Sequence, residues 1–130
     1  MKTLYRILVL SLVVTSAANA AESALNIQAI SAAAINNFRA PESDVLSAGQ
    51  PTEEQFKIMA DLGVKHVINL RTPGEDAGFD EKMTVEALGM SYNNIPVSVG
   101  DGGINYDNSQ SLQKLLDEFG DEGVVVHCAT

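Results

Sequence analysis

The sequence predicts an α/β domain built on a mainly parallel central sheet flanked by helices, and three observations carry that expectation. The runs VKHVINL (residues 64–70) and VVVHC (residues 124–128) are short, β-branched and apolar, as inner strands are. Between them SQSLQKLLDEFG places Leu112, Leu115, Leu116 and Phe119 at i, i+3, i+4 and i+7, one face of an amphipathic helix. Strands and helices alternate with short connections, which favours parallel pairing under crossover helices.

The first 20 residues stand apart from that domain. Lys2 and Arg6 precede an apolar run, ILVLSLVV, and the small residues TSAANA follow, with Ala18 and Ala20 in an A-x-A cleavage pattern. This order describes a signal peptide removed near Ala20, and so a protein exported to the periplasm or secreted. The apolar run is shorter than the roughly 20 residues that cross a bilayer, so no membrane span is expected.

Cleavage takes two basic residues away and leaves six basic and 17 acidic, a net charge of −11. That balance disfavours nucleic acid and anionic membrane as partners. About 110 residues remain, enough for one small core. They read as an N-terminal extension over residues 21–43, Ala-rich with a short helix before Asn36, and a domain over residues 44–130.

Within the domain DVLSAGQ (residues 44–50) is a short extended piece turning at Gly49. A helix follows Pro51: Thr52 caps it, Gln55 completes a capping box, Phe56, Met59 and Ala60 form its apolar face, and Gly63 ends it. RTPGEDAGFD is a loop after the first inner strand, EKMTVEALG a helix with a glycine stop, and SYNNIPV a second strand broken near Pro96. SVGDGGINYDN is a glycine-rich loop, with Asp107 placed as a cap for the Leu112 helix. His66 falls in mid-strand and reads as packed.

Cys128 is the sole cysteine, so no intrachain disulfide forms. Composition alone makes it a small core residue. Its place at the carboxyl end of a strand, where parallel sheets bind ligands, favours a reactive thiol instead. Successive backbone N–H groups beyond such a strand stabilise an anion, lower a thiol pKa from about 8.5 and also cradle phosphate. A thiolate held there can attack phosphorus. Two histidines and one cysteine at wide spacing make no metal site, and no cofactor is expected.

VVVHCAT resembles the opening of the cysteine-phosphatase signature, His-Cys, five residues, then Arg. SAGQPTEEQF, LGVKHVINLR and YNNIPV, in that order before VVVHC, resemble the dual-specificity-like protein tyrosine phosphatases, in particular the bacterial β-lactamase-hydrolase-like group. The resemblance covers residues 44–130. It implies a three-layer phosphatase fold and hydrolysis of a phosphorylated protein or small phosphoester through a phosphocysteine. Cys128 would be the nucleophile, His127 the residue positioning the cysteine loop, and Ala129 and Thr130 the start of the phosphate-binding loop. Asp101, in the loop after the second strand, would be the general acid, with Asp107 the runner-up; as a turn residue before Gly102 it has an equally plain explanation. Arg71 is placed to meet a substrate anion, or else pairs with Glu75 or Asp76.

The family's phosphate-binding arginine would fall at position 134, beyond Thr130. On that reading the 130 residues are a partial domain with its C-terminal part missing and negligible activity alone. Two other classes stay open: a rhodanese-like sulfurtransferase, which needs no acid at Asp101, and a catalytically dead phosphate-binding domain.

Overall fold

The computed structural model describes residues 24–130, so the expected leader lies outside the described residues. Strands β1 (Val45–Ala48), β2 (Val64–Asn69), β3 (Ser91–Asn94) and β4 (Gly123–His127) form an all-parallel sheet in the order β1-β4-β2-β3. The three strands expected from the sequence are present, the one in SYNNIPV ending at Asn94, and the extended piece before Gly49 is a fourth. The last strand in sequence lies inside the sheet, between β1 and β2.

Helices α2 (Glu53–Asp61) and α3 (Glu81–Ala87) cover one face and α4 (Tyr106–Phe119) the other. The layers follow from strand alternation. Leu46, Val67 and Val125 turn toward Phe56 and Met59 of α2 and Val85 of α3. Ile68, Val124 and Val126 turn the other way, toward Leu112, Leu115, Leu116 and Phe119. A register irregularity between Val64 and His66 against β4 leaves Val64 on the α2 face with Val67.

The capping box of α2 is formed as its sequence predicts: Thr52 Oγ1 accepts from Gln55 N at 3.1 Å and Gln55 Oε1 from Thr52 N at 3.0 Å. The segment before β1 joins the same core. Helix α1 (Ile27–Ser31) contributes Ile30, Ile35 follows it, and Arg39 bridges to Ser47.

The start of α4 differs from expectation. Asn105, not Asp107, is the cap: Asn105 Oδ1 accepts from Asn108 N at 3.0 Å, and Asn108 Oδ1 from Asn105 N at 2.8 Å. Asp107 sits one residue inside the first turn, where its charge faces the positive end of the helix dipole. Asn105→Ala is therefore expected to cost about 1 kcal/mol of stability in urea unfolding, and Asp107→Ala only about 0.3–0.5 kcal/mol. The reverse order would restore Asp107 as the cap.

His66 is packed, as its position implies. Its ring stacks on Phe119 with centroids 3.7 Å apart and 4° between planes, and Nδ1 lies 2.6 Å from Ser91 Oγ. Burial pushes its pKa below the ordinary 6.5, opposed in part by Glu122 and assisted by Lys65. The unfolded chain thus binds this proton more readily than the folded one. The stability His66 contributes is complete above pH 6.5 and is lost as the pH falls below that value toward the depressed folded pKa. Urea midpoints measured on both sides of that pH should fall less steeply with acid in His66→Gln than in the parent; parallel slopes would refute the assignment.

Candidate active site

Because the sheet is parallel, the carboxyl ends of all its strands share one edge, and the chemistry-bearing residues gather there. Backbone bonds to both neighbours hold the end of β4: Leu70 N donates to His127 O at 2.8 Å and Cys128 N to Ala48 O at 3.3 Å. Cys128 is half-buried and its Sγ reaches Thr130 O at 3.0 Å, while Ala129 and Thr130 are exposed. The thiol lines a shallow cavity of about 260 Å³ with Asn37, Ala48, Leu70 and Thr130.

Gly49 lets the β1 turn approach this corner. A Cβ there would lie 3.1 Å from Asn36 Nδ2 and 3.1 Å from the carbonyl carbon of Thr130. Its N–H donates to Asn36 O at 2.7 Å, tying the segment before β1 to the same edge.

His127, which also lines the thiol's cavity, reaches into the α2–α3 layer and is 1% exposed. Phe56 packs edge-on against it, with centroids 5.8 Å apart. Its Nε2 lies 2.9 Å from Glu81 Oε2 and its Nδ1 3.3 Å from the carbonyl oxygen of Cys128. Glu81 stands in the first turn of α3 and is 6% exposed, an unusual burial for a carboxylate. Its other oxygen accepts from Gln50 Nε2 at 2.6 Å.

Arg71 lies at the far end of this group, 9% exposed. One guanidinium nitrogen donates to Gln50 Oε1 and another to the carbonyl of Asp76 at 2.8 Å, while Glu75 Oε1 stays 4.0 Å from Nε. The Arg71 hydrogen bonds thus go to a side-chain amide and a backbone carbonyl, with the Glu75 carboxylate that the sequence suggested as a partner at the limit of ion-pair range. Glu75 is occupied elsewhere: the N–H and hydroxyl of Thr72 donate to it and hold its pKa below the ordinary carboxylate value. Asn69 supports the loop by accepting from Arg71 N at 2.8 Å and donating to Tyr92 Oη at 3.0 Å. Burial raises the pKa of that phenol.

A larger cleft of about 410 Å³ opens between this loop and α3, lined by Arg71, Glu75, Asp76, Asp80, Glu81 and Tyr92 among others. Four carboxylate-bearing residues on its wall make it a poor host for a phosphate ester, and Cys128 does not reach it.

Asp101 ends a short 3-10 turn, Val99–Asp101, in the loop that leaves the β3 edge; its side chain is outside those described. Gly102 follows with φ 92°, and Val99 stands 90% exposed, so the turn projects from the body. The backbone thus puts Asp101 on a loop at the edge that carries Cys128. Sequence reasoning read Gln50 only as the end of the DVLSAGQ piece and passed over Glu81 altogether. Glu81 looks like an ordinary first-turn acid, and no local pattern links it to a histidine 46 positions away.

A parallel α/β sheet with a thiol at the carboxyl end of an inner strand defines the class. No family model matches the sequence, and no curated protein does. Solved structures do. A DUF442 protein of Shewanella putrefaciens CN-32, described as a candidate phosphatase, is 28% identical at a TM-score of 0.70 in one structure and 30% at 0.68 in another. Each comparison covers 79% of this chain and 66% of that one. A candidate phosphatase of Neisseria meningitidis Z2491 matches at 21% identity and TM-score 0.58, over 72% of this chain and 66% of its own. Kinase-associated phosphatase, solved with its catalytic-site cysteine changed to serine, matches at 12% identity and TM-score 0.56, over 65% of this chain and 55% of its own.

The chain shares the α/β fold of these phosphatases, and its likeness to the DUF442 protein extends to 28–30% sequence identity. It spans about two thirds (66%) of the length of the Shewanella protein.

Proposed function

We propose that the whole protein is an exported, cysteine-dependent phosphatase acting on a phosphorylated protein or small phosphoester. The observation that carries this is the location of Cys128, half-buried at the carboxyl end of an inner parallel strand and followed by exposed backbone. Its thiolate attacks phosphorus and the ester P–O bond breaks. The departing oxygen takes a proton from Asp101, on the projecting loop. Water then cleaves the P–S bond, releasing inorganic phosphate and regenerating the thiolate. The amides of Ala129 and Thr130 begin the cradle for the phosphoryl oxygens. Arg71 is engaged with Gln50 and Asp76; the family resemblance implies that an arginine six positions after Cys128, beyond Thr130, would supply the cationic clamp on those oxygens. Among the described residues no helix is long and apolar enough to cross a membrane.

Acid quenching of the whole protein during turnover of a ³²P-labelled phosphoester tests the reading. Label recovered on the peptide containing Cys128 is the expected result. Turnover with no label on that peptide would overturn it, and a persulfide on Cys128 would favour sulfur transfer. Export rests on the pattern of residues 1–20, and a mature N-terminus near Ala21 in the exported protein is the corresponding expectation.

A further inference from the structure

We infer that Asn37 is a substrate-binding residue, whose carboxamide N–H groups donate to the phosphoryl oxygens of an ester seated over Cys128. This rests on the Cys128 corner being a phosphate site, as proposed above. The sequence sets residues 21–43 outside the domain, yet one turn of that segment stands in the wall of the thiol's cavity. Asn37 is the one carboxamide among the described lining residues. The cavity's volume of about 260 Å³ is below the roughly 300–1,000 Å³ of pockets that enclose drug-sized ligands, so a phosphoryl group entering it meets both walls. The chain has 17 acidic residues and none of the described ones lines this cavity, whereas four line the cleft beside α3. An oxyanion is therefore met here by donors without an opposing carboxylate.

The turn that carries Asn37 is held from several sides. Phe38 N donates to Ile35 O at 3.3 Å and closes a β-turn, with Asn37 at φ 50° in its second central position. Ile35 is buried and Phe38 packs against the same core, so both ends of the turn are anchored. Gly49 N donates to Asn36 O at 2.7 Å, and Arg39 and Ser47 exchange backbone bonds at 2.8 and 2.9 Å. The turn also closes on the cysteine loop, since Asn36 Nδ2 and the carbonyl carbon of Thr130 converge on Gly49. These bonds use backbone atoms and spend none of the Asn37 carboxamide. A left-handed residue at this turn position is glycine or asparagine, and the fold is served by either. Asparagine adds two N–H donors on a wall that is already fixed in place.

Asn37→Gly removes the carboxamide and keeps the turn, which separates binding from folding. In the whole protein, inorganic phosphate should protect Cys128 from alkylation by iodoacetamide. Asn37→Gly should raise the half-protecting phosphate concentration about tenfold, the size of one hydrogen bond to a charged group. Asn37→Asp also tolerates the left-handed backbone but turns an anion toward the phosphate, and should raise that concentration further. An unchanged value in Asn37→Gly would overturn the proposal. So would equal values for the glycine and aspartate variants, or a parent that phosphate does not protect. Should Asn37→Gly not fold, Asn37→Asp measured against the parent decides alone. Protection requires no turnover. A parent that phosphate protects, but that forms no phosphocysteine, loses the enzymatic reading and keeps this one. A parent that forms phosphocysteine, with protection indifferent to Asn37, keeps the enzymatic reading and loses this one.

Discussion

Cys128→Ser in the whole protein is expected to lower turnover of an aryl phosphate by at least about a thousandfold, as loss of a covalent nucleophile does elsewhere. The substitution changes little else. A serine hydroxyl is nearly the size of the thiol and can still donate to Thr130 O, the contact that Sγ makes at 3.0 Å. The residue is half-buried at a strand end, so packing of the two layers is untouched. What disappears is the sulfur nucleophile itself, since a serine alkoxide is not accessible near neutral pH. Urea unfolding of the same variant should change its unfolding free energy by less than about 0.5 kcal/mol, which separates lost chemistry from lost structure. Equal turnover by the serine variant and the parent would remove Cys128 from the mechanism.

Phe56→Ala should cost about 3–5 kcal/mol of unfolding free energy, the range for emptying an aromatic site in a core. For a domain of this size, whose total stability is about 5–15 kcal/mol, that is a large fraction. Phe56 is fully buried and faces the sheet from α2. Its ring meets Phe79 edge-on at 6.3 Å and His127 at 5.8 Å, both at 68°. Truncation therefore opens a void beside the His127 ring, which pairs with Glu81. Phe56→Leu, which refills part of that volume, should recover more than half of the loss. A cost below about 1 kcal/mol for the alanine variant would mean that the helices collapse onto the site and that Phe56 does not hold it open.

What the sequence disclosed, and what it withheld, divides by distance along the chain. Features written in neighbouring residues were legible: the Thr52–Gln55 capping box, the Leu112 face of α4, and a thiol at the end of a β-branched run. The cap of α4 was within reach and was misplaced, because Asp and Asn are comparable caps and Asp107 stood closer to the apolar run. Asn105 wins because Asn108 can return its bond. Pairings between distant segments left no trace. Nothing in VVVHC says that it lies between β1 and β2, and Gln50 and Glu81, 31 positions apart, carry no shared pattern. The buried half of the candidate site is made of such pairings, so the candidate nucleophile Cys128 was visible and the Glu81 carboxylate beside His127 was not.

The strand order has a consequence for how the polypeptide is made. Translation delivers β1 and β2 early, yet they do not touch each other; the gap between them waits for residues 123–127. Until that segment emerges, two strands expose unpaired amide edges, the condition under which nascent chains stick to one another. The high proportion of distant contacts also predicts slow refolding for so small a protein. A ribosome stalled before Gly123 should therefore hold a protease-sensitive chain that favours chaperone capture over the native sheet.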